Sequence, residues 1–135
     1  CSICRKTAGG GGYAINLGAE AATLSVTGES NLGLYRAAIE DDEHRTCEIA
    51  SGERRFCQRC GSALWLFDPT WPELVHPFAS AVDSHLPVPP ARVHLMLKYK
   101  ASWVKPDIRD GDESFELYPE LSLADWHRKH GLWVE

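Results

Sequence analysis

The stretch Arg55-Phe56-Cys57-Gln58-Arg59-Cys60-Gly61-Ser62-Ala63-Leu64 decides how this chain is read. A Cys-x-x-Cys pair closed by glycine and followed by the apolar run Ala63-Leu64-Trp65-Leu66-Phe67 predicts the tip of a β-hairpin, whose tight turn aims both sulfurs inward. A second pair, Cys1-Ser2-Ile3-Cys4, lies roughly fifty residues upstream. Zinc requires soft, deprotonated donors, and two such pairs deliver four thiolates from two chain segments. On spacing alone, one site made of Cys1, Cys4, Cys57 and Cys60 is the simplest reading. A redox pair and plain buried cysteines are the alternatives. A thioredoxin-type pair belongs between a strand and a helix, whereas the surroundings here read as hairpins.

Working outward, the run Ala8-Gly9-Gly10-Gly11-Gly12 is too flexible for the interior of a helix or strand, which predicts that the backbone turns or closely approaches something there and that the first cysteine motif sits on a loop. Short apolar stretches cut by turn residues follow at 13–17, 22–26, 32–39 and 46–50, the last ended by Ser51-Gly52. This spacing predicts a β-meander. Residues 87–90 are proline-rich and read as a surface connection, and 92–99 alternate well enough for a further strand. Only the end of the chain reads as helical. Ser122 with Asp125 three residues later forms a capping box, Leu123 and Trp126 share a face, and His127, Lys129 and His130 suit the C-terminal dipole before Gly131. The expectation is a mainly β zinc-binding domain over 1–135 with a short helix near 122–130.

The 135 residues, 44% of them hydrophobic, suit a single domain with a modest core. A formal net charge of −5 argues against nucleic acid or an anionic membrane as the main partner, since those surfaces attract clustered Lys and Arg. No uninterrupted apolar run approaches the length needed to span a bilayer, and the chain opens with no signal-peptide pattern. Five cysteines, with Cys47 left over, fit metal thiolates in a reducing compartment better than a disulfide framework, so the expected location is the cytoplasm. The chain begins on Cys1, inside a motif and without an initiator Met, which sets the expectation that it starts downstream of the natural start.

The segments Cys1-Ser2-Ile3-Cys4-Arg5-Lys6-Thr7-Ala8-Gly9-Gly10 and Arg55 to Leu64 resemble the two signature segments of the glutathione-dependent formaldehyde-activating (GFA) enzyme family, which includes centromere protein V. Ala81-Val82-Asp83, Pro90-Ala91-Arg92-Val93-His94 and Ala101-Ser102-Trp103 are similar to the family's weaker downstream landmarks. The resemblance implies a β-tent-like fold of short antiparallel sheets and two zinc ions. In the family, an early Cys-x-Cys pair joins the later Cys-x-x-Cys in a closed structural site, and a Cys-x-Cys-x-x-Cys motif forms an open three-thiolate site. Cys57 and Cys60 match the structural pair; Cys1 and Cys4 match the last two cysteines of the open motif. The early pair and the first cysteine of the open motif have no counterpart in this sequence, so the N-terminal part of the family domain is expected to be missing.

The implied activity is that of a zinc-dependent carbon-sulfur lyase acting on a glutathione-aldehyde adduct such as S-hydroxymethylglutathione. Its partners would be a small-molecule thiol and an aldehyde, with room for a homo-oligomer. The catalytic candidates are Cys1 and Cys4. Arg5, Lys6, Arg54, Arg55 and Arg59 flank the cysteine segments, and Arg5, Lys6 and Arg59 are the candidates to bind glutathione carboxylates. A non-catalytic zinc module that binds a protein partner is the competing reading. The histidines at 44, 76, 85, 94, 127 and 130 show no zinc-motif spacing and read as surface or core. The five tryptophans read as core and edge packing, Cys47 as a buried thiol in a strand, and Asp83 as an exposed turn carboxylate.

Overall fold

In a computed structural model, residues 1–8, 10–41 and 46–134 are described. His44 and Gly9 lie outside them. Contacts divide the chain into two compact units, one of Ala14–His85 and one of Cys1–Tyr13 with Leu86–Glu135. Among the described residues, no helix is long and apolar enough to cross a membrane.

The Ala14–His85 unit is built on a five-stranded antiparallel sheet of β1 (Ala19–Glu20), β2 (Leu32–Asp41), β3 (Thr46–Cys57), β4 (Ala63–Phe67) and β5 (Leu74–Pro77), in the order β1-β5-β4-β3-β2. Strands β2, β3 and β4 fall on stretches expected as strands from the sequence, β5 was not expected, and β1 closes onto β5. The expected break at Ser51-Gly52 does not occur, because β3 runs straight through it. The irregularity is absorbed in the ladder instead: Arg36 pairs with Glu53 and Ala38 with Ile49, so two steps of β2 pass four of β3. The stretch 13–17 forms only an isolated bridge, Asn16 to Phe78, and 22–26 begins in a 3₁₀ turn at Ala21–Thr23 rather than a strand. Among the described residues of this unit, Val75 and Phe78, each 2% exposed, and Ala37 at 1% are the buried apolar side chains.

Beyond the bulge the outer half of β3 is paired only with β2, leaving its side chains open to solvent. Cys47, opposite Glu40 on this arm, is therefore exposed, which corrects its expected burial. Ile49, on the same arm, is 60% exposed.

In the other unit, residues 2–7 are not a loop. They form α1 (Ser2–Thr7), with Arg5 N–H bonded to the Cys1 carbonyl at 3.1 Å and Ala8 N–H to the Cys4 carbonyl at 2.9 Å. The glycine run limits the helix at its C-terminus but does not reach back through the motif. At Gly12, φ is 88° and an added Cβ would lie 2.4 Å from Val104 Cγ2 and 2.8 Å from Trp103 Cη2, so the close approach expected of this run is made here. The expected strand over 92–99 shrinks to β6 (Val93–His94), because Met96 adopts φ 60° and a 3₁₀ turn at Leu97–Tyr99 follows. β6 pairs with β7 (Glu113–Ser114) in parallel, departing from the all-antiparallel expectation. The C-terminal helix α2 (Leu123–Lys129) is where the sequence put it. Ser122 Oγ accepts from Asp125 N–H at 3.0 Å and donates to its carboxylate at 2.7 Å.

Trp126 packs as expected, 7% exposed and stacked on His130 with ring centroids 4.1 Å apart. Trp71, Trp103 and Trp133 do not, at 60%, 65% and 44% exposed.

Candidate metal centre

The hairpin between β3 and β4 carries Cys57 and Cys60 at its tip. Cys57 N–H donates to the Ser62 carbonyl at 2.9 Å, and Gly61 N–H to the Cys57 carbonyl at 2.8 Å. Gly61 takes φ 76°, a left-handed conformation that closes the turn and that a side chain would strain. Gln58 ties the turn to the start of β2: its N–H donates to the Asn31 carbonyl and its Nε2 to the Leu32 carbonyl, both at 2.8 Å.

The sulfurs are drawn together by this geometry. Cys60 lies 3.1 Å from Ser62 Oγ and shares a hydrogen bond with the Cys57 side chain. Its thiol is held below the ordinary range, first by the Ser62 hydroxyl, then by the Ser62 N–H and the Cys57 side chain, with the Arg59 charge adding to the effect against desolvation. Cys60 and Arg59 are exposed and Cys57 is half-buried. Two neighbouring sulfurs, one biased toward thiolate, suit a soft divalent ion as half of a tetrahedral ligand set.

Cys1 and Cys4 belong to the other unit. Cys1 is the residue before α1 and Cys4 sits in its first turn, so a three-residue spacing turns both toward one face of the helix. Both side chains are half-buried. Arg5 and Lys6 occupy the last turn, where they complement the helix dipole. Lys6 is exposed, whereas Arg5 is half-buried and its Nε has no hydrogen-bond partner. Among the described residues, no group of three or more His, Cys, Asp and Glu side chains is arranged to hold a metal ion. What is present is two cysteine pairs in separate units, each able to supply two of the four soft donors that a closed zinc site requires.

Arg55, grouped with the cysteine segments by sequence, is turned to another task. Its Nη2 donates to Glu53 Oε2 at 2.6 Å, and Arg36 reaches the other oxygen from β2. Glu53, 7% exposed, is held below the usual carboxylate range by the Arg36 hydrogen bond first and by Arg55 as well, against the desolvation that opposes them.

A second polar cluster escaped the sequence reading. The Asp112 side chain, 3% exposed, accepts from Arg92 N–H at 2.8 Å, Arg92 Nε at 3.0 Å, Arg92 Nη2 at 2.7 Å and Arg109 N–H at 3.0 Å, with His94 Nε2 at 3.2 Å. The Arg92 hydrogen bonds lead in holding its carboxyl far below the usual range. No local motif announces a carboxylate eighteen or twenty residues from its partners. Of the described histidines, His94 is thus committed to Asp112, His76 bonds the Leu17 carbonyl, and His127 and His130 bond carbonyls of α2. Asp83 and His85 are exposed.

No family model matches the chain, and no solved structure does. A protein of Halomonas elongata, provisionally named a glutathione-dependent formaldehyde-activating enzyme, is 58% identical over 132 residues, covering 98% of this chain and 80% of the relative. The similarity therefore runs through both compact units.

Proposed function

This chain belongs to the glutathione-dependent formaldehyde-activating enzyme family, and on that premise we propose that it is a zinc-dependent carbon-sulfur lyase acting on S-hydroxymethylglutathione. The observation that carries the proposal is the 58% identity along nearly the whole chain to a relative named for glutathione and formaldehyde. We take 1–135 as a single family domain, soluble and cytoplasmic.

Cys57 and Cys60 would hold a structural zinc, and Cys1 and Cys4 would contribute to an open one. When bound, zinc with an open position supplies a Lewis acid that favours the thiolate form of a thiol at neutral pH. The work left to the chain is to bind and orient. Arg5 and Lys6 beside Cys4, and Arg59 beside Cys60, are cationic groups of the kind that bind the carboxylates of glutathione. Holding thiol and aldehyde together replaces a bimolecular encounter with an oriented one. In the cleavage direction, the hydroxymethyl group loses its hydroxyl proton, the carbon-oxygen double bond forms, the carbon-sulfur bond breaks, and its electron pair leaves with the glutathione sulfur. The sulfur then takes up a proton, giving glutathione and formaldehyde.

The test is zinc per chain, melting temperature and S-hydroxymethylglutathione turnover for Cys4→Ser and Cys57→Ser. Cys57→Ser should unfold the protein, because structural zinc couples about 10 kcal/mol of binding to folding. Cys4→Ser should lose turnover and one zinc while the protein remains folded. Unfolding by both alike would favour one structural site shared by all four cysteines and the binding-module reading.

A further inference from the structure

The hairpin that carries Cys57 and Cys60 is braced by groups that are not themselves metal ligands. Gln58 makes two hydrogen bonds back to Asn31 and Leu32, both at 2.8 Å, and so fixes the turn from outside. The Ser62 carbonyl receives the Cys57 N–H, while the Ser62 hydroxyl stands 3.1 Å from Cys60 Sγ. Either atom of that contact could be the donor, but a cysteine that coordinates a metal has given up its proton, so in the ligated state Ser62 would donate and sulfur accept.

The geometry points to Ser62 as a positioning residue that holds the Cys60 thiolate in ligating orientation through its hydroxyl, with Gln58 anchoring the turn on which both sit. The inference rests on the reading of Cys57 and Cys60 as zinc ligands. It adds to that reading a residue whose side chain touches neither metal nor substrate. Outer groups of this kind orient the ligand, disperse part of the thiolate charge and reduce the rearrangement that binding requires. Ser62 is exposed and just precedes β4, so a β-branched replacement is compatible with the backbone there. The choice of variants follows from this.

The pair Ser62→Thr and Ser62→Val is nearly isosteric and differs in the hydroxyl. Each is prepared with zinc in the full chain, alongside wild type. Zinc affinity is measured by chelator competition, and the ion leaving the hairpin is identified by alkylation of Cys57 and Cys60, read by mass spectrometry. Loss of an outer hydrogen bond typically weakens metal binding about 10- to 100-fold. Ser62→Val should therefore bind at least about tenfold more weakly than wild type and Ser62→Thr close to it, with the far-UV circular dichroism of the two zinc-saturated variants alike. If Ser62→Val and Ser62→Thr bind zinc equally well, Ser62 has no positioning role, although the zinc reading stands. If wild type protects neither Cys57 nor Cys60 with zinc, the metal reading fails and this inference with it.

Discussion

Replacing Glu53 by Gln removes the charge that two arginines converge on while keeping the side-chain volume. Glu53 is 7% exposed, and its two oxygens are divided between Arg36 on the neighbouring strand and Arg55 two residues along β3. Breaking one partner of a buried ion pair costs about 3–5 kcal/mol when the abandoned charge stays buried. Here the guanidiniums retain water, at 46% and 31% side-chain exposure, and the amide can still accept one hydrogen bond. The expected loss is accordingly about 2 kcal/mol, below the range for fully buried pairs. For a domain of this size that corresponds to a fall in melting temperature of roughly 6–10 °C. The pH dependence follows from the direction of the shift. The folded-state pKa of Glu53 lies below the ordinary carboxylate value of 4.5, so its stabilisation is present above about that pH and is lost as pH falls through the lower folded value. Thermal melts of wild type and Glu53→Gln between pH 7 and 3 should differ most at neutral pH and converge in acid. A variant melting within 2 °C of wild type at pH 7 would refute the claim that this ion triad secures the β2–β3 pairing.

Trp126→Ala removes the one buried aromatic of the C-terminal helix and its stack on His130, and should cost about 3–5 kcal/mol, the range for large-to-small aromatic truncation, as read by denaturant unfolding. Asp112→Asn should lower the melting temperature at pH 7, since it removes a charge satisfied by Arg92, Arg109 and His94. Because the folded pKa of Asp112 is depressed, the wild-type advantage is present above the usual carboxylate range and disappears only in strong acid, which a pH series of melts would show.

The parts of the fold that were legible in the sequence are those governed by local rules. Cys57 to Gly61 fixes a hairpin by its own turn chemistry, and Ser122 with Asp125 caps a helix across three residues. Errors arose where pairing partners decide. Ser51-Gly52 carries the composition of a turn, yet a bulge against β2 lets β3 continue, because glycine permits close approach as readily as reversal. The helix at Cys1 was hidden by the glycines after it. β5 and β1 passed unnoticed, being four and two residues long and stabilised by neighbours rather than by pattern. Cys47 looks like a core thiol from its neighbours Thr46 and Ile49, but burial depends on what covers β3 beyond the bulge, which the strand's own residues do not encode. At the candidate centre the two cysteine pairs were legible and the hydrogen bonds around Cys57 and Cys60 were not. Gln58 bonds the carbonyls of Leu32, 26 residues away, and Asn31, whereas the Ser62 hydroxyl meets the Cys60 sulfur two residues away.

The central claim is that this chain catalyses the interconversion of S-hydroxymethylglutathione with glutathione and formaldehyde. The direct measurement is the exchange rate among these three species at equilibrium, by magnetisation-transfer NMR, with zinc-loaded protein present and absent. The account predicts exchange that rises in proportion to protein concentration and falls to the uncatalysed rate with Cys4→Ser. An exchange rate that zinc-loaded wild-type protein leaves unchanged would contradict it.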